Sequence, residues 1–309
     1  VTIGRYPIIS LAQARKHAQQ LLAEHTLGKS LPPSKSYSQA VQDFLDDKAQ
    51  TARPSTIASY RRHLNNFGFK GQLGRITHGD AARAIARIKA PSERSHALVA
   101  GKVFFNWCFK RRLFSENPLI GLSKPVGASR ARILTDDELK AIWTATEAFT
   151  PFNSIIRFCL LTAQRRGEVA LLIPADIQGA VCTIPGAVAK NRLAHAFPLT
   201  PLPLKLTAGR HNRRYVFSNT DKPFNNWGNA KAELDKASGT TDWTIHDIRR
   251  TVATRLAEIG VAPHIIERIL NHISGHISGV AAVYNRARYL EEMRATLQLW
   301  EDRIQSLVG

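Results

Sequence analysis

The segment from Trp243 to Leu270 constrains the fold most strongly, because its apolar residues recur at three- and four-residue steps. That spacing is typical of an amphipathic helix with one buried stripe. The stripe consists of Ile245, Ile248, Val252, Leu256 and Ile259. Thr244 stands at the N-cap position with Asp247 three residues on, which predicts a helix that begins immediately before His246.

Two basic side chains share the polar face of this predicted helix. His246 and Arg249 are three positions apart, so their Cβ atoms lie about 5–6 Å apart and both can reach one anion. A surface ion pair would give the same spacing. The segment continues through a second predicted helix, opened by Pro263, to His272 and then to Tyr284.

Charge restricts the partners of the chain. Lys and Arg number 43 against 24 Asp and Glu, giving a formal charge of +19 over 309 residues, 44% of them hydrophobic. A folded protein with this bias favours a polyanion, either nucleic acid or an anionic membrane. No apolar run of about 18 residues and no signal peptide pattern is visible. We therefore expect a cytoplasmic, nucleoid-associated protein that binds DNA and no membrane.

Cysteine spacing predicts neither disulfides nor a zinc site. Cys108, Cys159 and Cys182 lie far apart in apolar stretches, so reduced core thiols are expected. The first residue is Val1 and the only methionine is Met293, so we expect the natural chain to extend upstream.

Periodicity and turn residues predict a mainly α fold with a small β-sheet. Helices are expected from Ser10 to Gly28 and, as a four-helix domain with short connections, between Tyr37 and Arg112. The fourth of these helices should supply bulk to the core through Leu98, Val99, Phe104, Phe105 and Trp107. Pro- and Gly-rich stretches mark linkers at 31–36 and 123–132. The second domain, 133–309, combines a capping box at Thr135, a buried helix, a β-hairpin and further helices. The terminal helix carries Leu297, Leu299, Trp300 and Ile304, which could dock on a neighbouring protomer or, equally well, pack on their own domain.

Basic clusters supply candidate DNA contacts, because a helical module can follow phosphates without reading sequence. The candidates are Arg61, Arg62, Lys110, Arg111, Arg112, the linker residues Arg130 and Arg132, and Arg192. Solvated helix ends would explain each helical cluster equally well.

Two further cations follow apolar segments. Arg165 comes directly after a buried helix, with Glu168 as a partner at i+3. The pair is either a structural salt bridge or a device that aims the planar guanidinium at a phosphate. Lys190 lies near the tip of the predicted hairpin, where most lysines are simply solvated.

Six short motifs, which follow one another along the chain, contain these candidate residues and form a recognisable pattern. They are Thr-Ala-Gln-Arg165-Arg-Gly-Glu168, Lys190-Asn-Arg, His195-Ala-Phe-Pro-Leu, His246-Asp-Ile-Arg249-Arg, Leu-Asn-His272 and Val-Tyr284-Asn-Arg. Together they resemble the tyrosine recombinases, specifically the prophage and genomic-island integrases. The resemblance covers nearly the whole chain and implies the end of an arm-type DNA-binding domain at 1–30, a helical core-binding domain at 37–122 and a catalytic domain at 133–309.

The resemblance also implies site-specific recombination through a 3′-phosphotyrosine. Tyr284 would be the nucleophile and Lys190 the general acid. Arg165, Arg249 and His272 would stabilise the phosphate, with His246 bonding the phosphate or accepting the phenol proton. No metal, ATP or other cofactor is implied. The implied partners are double-stranded attachment-site DNA, three further protomers in a tetramer, a DNA-bending protein and an excisionase.

Departures and alternatives remain. Ala163 stands where many relatives have Gly, and His276 competes with His272 for the later histidine role. A buried core tyrosine would also explain Tyr284. A type IB topoisomerase shares the chemistry but relaxes supercoils. A non-catalytic DNA-binding protein would explain the charge and the helix pair from Thr244 to Leu270.

Overall fold

The computed structural model describes residues 3–4, 6–26, 35–114, 116–124, 130–210, 212–272 and 288–309. The chain divides into two compact units, residues 1–129 and 130–309. Within the described ranges the structure is mainly helical with one small antiparallel sheet, which confirms the predicted fold class. No helix in these ranges is both long and apolar enough to cross a bilayer.

Helices build the first unit. They are α1 (Leu11–Thr26), α2 (Tyr37–Ala49), α3 (Pro54–Asn65), α4 (His78–Ala86) and α5 (Pro91–Lys110). Ser36 and Thr77 cap α2 and α4 by accepting hydrogen bonds from backbone N–H groups in the first turn. Pro54 and Pro91 open α3 and α5, where a missing N–H costs nothing. The four helices predicted between residues 37 and 112 are therefore present.

Aromatic rings fill the centre of this unit. Phe44 and Phe104 are fully buried, and their ring centroids lie 5.5 Å apart in an edge-to-face arrangement. The Tyr37 hydroxyl donates to the Leu64 carbonyl at 2.9 Å, so this polar atom is satisfied inside the core. The prediction that Val99 adds bulk to the core is wrong, because its side chain is 49% exposed.

The second unit combines helices with a three-stranded sheet. Its elements are α6 (Asp136–Ala145), α7 (Pro151–Thr162), α8 (Arg166–Val169), β1 (Ile177–Gln178), β2 (Val181–Ile184), β3 (His195–Pro198), α9 (Pro201–Thr207), α10 (Trp227–Ser238), α11 (Ile245–Glu258), α12 (Pro263–Ile269) and α13 (Leu290–Val308). The predicted hairpin is present, with Cys182 of β2 opposite Phe197 of β3. Strand β1, which was not predicted, pairs with the outer edge of β2.

The core of the second unit surrounds α7, whose apolar residues are buried as predicted. Helix α11 packs against α7 with its stripe, except that Ile259 is 46% exposed. That part of the prediction is wrong because Ile259 lies past the last helical residue, at the C-cap. The cysteines are buried and free, as predicted, and burial raises the pKa of the Cys159 thiol to about 12.

The terminal helix α13 packs on its own unit. Leu297, Trp300 and Ile304 are buried, and the indole N–H of Trp300 donates to the Leu160 carbonyl at 2.7 Å. Leu299, which the sequence grouped with them, is 57% exposed. Three of the four apolar residues are therefore part of the core of this unit.

Candidate active site

The end of α7 sets the position of Arg165. Helix α7 terminates at Ala163, whose φ of 55° is left-handed. Glycine adopts this conformation without a steric penalty, whereas the Cβ of Ala163 makes it less favourable here. The buried Gln164 amide donates to the Ile269 carbonyl at 2.9 Å and to the Thr162 carbonyl at 2.8 Å. The turn therefore places Arg165 at the start of α8, outside the apolar core.

A buried carboxylate joins Arg165 to the hairpin turn. Glu168 is 5% exposed, and its Oε1 lies 3.4 Å from Nη1 of Arg165. The same oxygen accepts the backbone N–H of Lys190 at 2.8 Å. The i, i+3 pair expected from the sequence is thus also a link between two segments far apart in the chain.

Arg249 projects from α11 into the interior and is held by two carbonyls. Its Nη1 donates to the Ala163 carbonyl at 2.6 Å, and its Nη2 donates to the Leu270 carbonyl. Burial, followed by the positive charge of Arg165, lowers the pKa of Arg249 to about 9, with Glu168 acting in the opposite direction. The guanidinium is therefore oriented in advance, as a fixed donor for an anion must be.

His246 lies in the first turn of α11, where it lines a surface cleft together with Arg165 and Arg249. Partial loss of solvent, followed by the charges of Arg250 and Arg249, lowers the pKa of its imidazole. A lowered pKa keeps the ring neutral at neutral pH, so one ring nitrogen can accept a proton or a hydrogen bond.

One cleft of about 660 Å³ brings four of the predicted catalytic residues together. They are Arg165, Lys190, His246 and Arg249. Four groups that are cationic or can be protonated around one open space form a site for a phosphate-sized anion. The surface ion pair considered for His246 and Arg249 does not describe this arrangement, because both line the cleft with Arg165.

The cleft also contains aromatic residues that the sequence reasoning missed. Trp227 and Trp243 line it beside Lys231, whose ammonium lies 3.8 Å from the centroid of the Trp243 ring. Lys231 also pairs with Asp235 at 2.6 Å. The i, i+4 spacing of that pair was visible in the sequence, but its place beside the cleft depends on how α10 packs.

His272 lines a neighbouring cavity of about 290 Å³. Its Nδ1 lies 3.3 Å from Oε2 of Glu267. Burial, followed by the charge of Arg249, lowers the pKa of His272. Arg165 acts in the same direction, so two cations that line the 660 Å³ cleft also affect this imidazole. Tyr284 and His276 lie outside the described residues.

The candidate DNA contacts of the first unit are largely paired within the protein. Arg62 pairs with Glu93 at 3.0 Å, and Arg111 pairs with Asp47 at 2.7 Å while its guanidinium lies over the Trp107 ring. Arg61 donates to the Gln42 side chain at 3.1 Å, and Lys110 and Arg112 are exposed. Exposed ion pairs are weak enough for a phosphate to replace the carboxylate.

The linker candidates are paired as well. Arg130 contacts Asp242 at 2.8 Å and the fully buried Asp247 at 3.0 Å, so it ties the start of the second unit to the first turn of α11. Arg132 pairs with Glu138. Arg192 is exposed on the hairpin turn, with a left-handed φ of 63°.

Known proteins share this fold and sequence pattern. The chain is 26% identical to the prophage integrase IntZ of Escherichia coli (strain K12), an alignment that covers 99% of this chain and 84% of the relative. A lambda integrase dimer bound to a COC′ core site has a TM-score of 0.67 at 17% identity, covering 92% of this chain and 88% of that one. A lambda integrase tetramer bound to a Holliday junction has a TM-score of 0.65 at 16% identity, covering 89% and 90%.

A family model matches the second unit. The model described as the phage integrase family covers residues 132–291, just over half of the chain, and includes every residue of the cleft. The resemblance noted from the six motifs is therefore confirmed. The chain belongs to the phage integrase family and is a site-specific tyrosine recombinase.

Proposed function

We propose that this recombinase cleaves and rejoins double-stranded DNA through a 3′-phosphotyrosyl intermediate, with Tyr284 as the nucleophile. The observation that carries the proposal is the shared cleft, which Arg165, Lys190, His246 and Arg249 all line. Attack by a phenol creates a five-coordinate phosphorus whose non-bridging oxygens gain negative charge, so fixed cationic donors stabilise that state more than the ground state.

Each group has one task in this scheme. Arg165 and Arg249, with His272, donate hydrogen bonds to the non-bridging oxygens. As the bond from the Tyr284 oxygen to phosphorus forms, the phenol proton passes to His246 and the bond from phosphorus to the 5′ oxygen breaks. Lys190 protonates that departing oxygen, which is a poor leaving group as an alkoxide. Because the covalent adduct retains the free energy of the phosphodiester bond, another 5′ hydroxyl can reverse the step without ATP.

The two units divide the work of binding and chemistry. We assign residues 37–122 to binding the core DNA site, 1–30 to the end of an arm-binding domain, 123–132 to a basic linker and 133–309 to catalysis. The lambda integrase structures support DNA as the partner and a tetramer as the active assembly. The reaction would integrate and excise a prophage or genomic island in the cytoplasm, helped by a DNA-bending protein and an excisionase.

A suicide substrate tests the proposal. Duplex DNA from the attachment site, nicked beside the cleavage point, releases on cleavage the short fragment that carries the free 5′ hydroxyl. The strand cannot then be rejoined, so the covalent adduct accumulates. Tyr284→Phe should bind this DNA with unchanged affinity and form no adduct. Tyr289→Phe, a matched change five positions along, should still form it. An adduct from Tyr284→Phe would contradict the assignment, and supercoil relaxation without exchange between two sites would favour a topoisomerase.

A further inference from the structure

The carbonyl groups at the C-terminal end of α12 receive side chains from several segments of the active site. The last carbonyls of a helix have no partner within that helix. Here the Ile269 carbonyl accepts from Gln164 at 2.9 Å and lies 3.2 Å from Nε2 of His195. The next carbonyl, of Leu270, accepts from Arg249. The C-terminal end of α12 therefore joins three segments: Gln164 after α7, His195 in β3 and Arg249 in α11.

The hairpin turn joins the same helix end through a single amide. Nδ2 of Asn191 donates to the carbonyl of Asn271 at 3.1 Å and to its side-chain Oδ1 at 2.8 Å. Oδ1 of Asn191 accepts the N–H of Leu193 at 3.1 Å, which fixes the amide within its own turn. Asn271 has a left-handed φ of 48°, a conformation that asparagine tolerates better than most residues. One side chain thus connects the residue after Lys190 to the residue before His272.

The position of the Lys190 ammonium depends on this turn. Lys190 is exposed, and its backbone N–H is bound to Glu168 on one side of the turn. The Asn191 amide holds the other side, so the turn is fixed at two points. A lysine side chain is a flexible stem, and its reach to a given atom changes with any shift of its backbone. Displacement of a catalytic group by about 1 Å can cost about 100-fold in rate.

We propose that Asn191 is a positioning residue for proton transfer to the leaving oxygen. Its amide holds the hairpin turn against Asn271. The turn thereby sets the position from which the Lys190 side chain extends to the cleft. The inference rests on the proposed role of Lys190 as general acid. Asn191 itself does not touch the reacting atoms. The sequence carries no sign of this role, because the contact joins residues 80 positions apart.

A sulfur substitution at the leaving atom tests it. Single-turnover cleavage is measured on two suicide substrates, one with the natural 5′ bridging oxygen and one with sulfur there. A thiolate departs without protonation, because the pKa of a thiol is about 8.5. Asn191→Ala should cleave the oxygen substrate about 10- to 100-fold more slowly than the unchanged protein and the sulfur substrate at the same rate. Recovery on sulfur also shows that the variant is folded and binds DNA.

Three further variants make the result specific. Leu193→Ala, in the same turn and 55% exposed, keeps its backbone N–H and should leave both rates unchanged. Asn271→Gly adopts the left-handed conformation readily. It removes the two side-chain contacts with Asn191, at 2.8 and 3.5 Å, and keeps the contact to the Asn271 carbonyl, so it should show a smaller defect that sulfur also relieves. Lys190→Ala is the reference for loss of the acid.

The outcomes separate this inference from the proposed function. If sulfur does not restore Lys190→Ala, the general-acid assignment fails and the inference fails with it. If sulfur restores Lys190→Ala, but Asn191→Ala is either unimpaired on oxygen or still slow on sulfur, only the positioning role of Asn191 is refuted. If the sulfur substrate restores both Lys190→Ala and Asn191→Ala while Leu193→Ala cleaves both substrates normally, the positioning role of Asn191 is supported.

Discussion

Replacement of Glu168 by glutamine tests how much the cleft depends on one buried negative charge. The carboxylate lies 3.4 Å from Arg165, accepts the Lys190 N–H and opposes the effects that lower the pKa of Arg249. Glutamine preserves the shape and one acceptor oxygen, so the hydrogen bond from Lys190 can persist. The substitution therefore removes the charge while largely keeping the connection between the segments.

The expected loss of stability is moderate. Removing one partner of a fully buried pair costs about 3–5 kcal/mol, but the Arg165 side chain is 20% exposed and the contact is long. We therefore expect Glu168→Gln to lower the free energy of unfolding by about 1.5–2 kcal/mol, at the lower end of the range for hydrogen bonds to charged groups. Cleavage should also slow, because the repulsion between Arg165 and Arg249 is no longer offset and the donors move apart.

A second Arg–Glu pair with the same i, i+3 order provides the control. Arg255 and Glu258 are closer, at 2.9 Å, but Glu258 is 51% exposed. Glu258→Gln should therefore cost less than about 0.5 kcal/mol. Urea unfolding of both variants at neutral pH measures the difference. Equal losses for the two variants would refute the claim that burial, and not distance, decides the effect.

Two further predictions concern the cations of the cleft. Arg249→Lys replaces the planar fork, whose two nitrogens donate to the Ala163 and Leu270 carbonyls, by a single ammonium on a flexible stem. Single-turnover cleavage should therefore fall about 100- to 1,000-fold with DNA affinity nearly unchanged, and loss of binding instead would point to a structural role. The charge of Arg250 helps to lower the pKa of His246. Arg250→Gln should therefore raise that pKa and move the acidic limb of the cleavage pH–rate profile to higher pH. An unchanged acidic limb would mean that another group titrates there.

Local sequence signals predicted most of the helices and the hairpin. Capping residues such as Thr135 and first-position prolines such as Pro151 act within one turn, so their effect can be read from neighbouring residues. The apolar stripe of α11 was visible for the same reason. The errors at Val99 and Ile259 arise because apolar residues also occur on exposed faces and at helix ends.

The support around the cleft could not be predicted from local patterns. Asn191, Gln164 and Glu168 act through contacts with residues far away in the sequence. Trp243 and Lys231 line the cleft only because α10 lies beside the start of α11. The six motifs indicated which residues matter by resemblance, while the contacts that hold them depend on tertiary packing.

The electrostatics of the cleft explain why such packing is needed. Burial and the nearby Arg165 lower the pKa of Arg249 to about 9, so its charge is unfavourable in the folded protein without an anion. The hydrogen bonds to backbone carbonyls and the hydrophobic core around α7 hold it there nonetheless. In the proposed mechanism, a bound phosphodiester would relieve the repulsion, and the additional negative charge of a five-coordinate phosphorus would relieve it further. In that mechanism, the same repulsion that reduces the stability of the protein alone favours the transition state over the ground state.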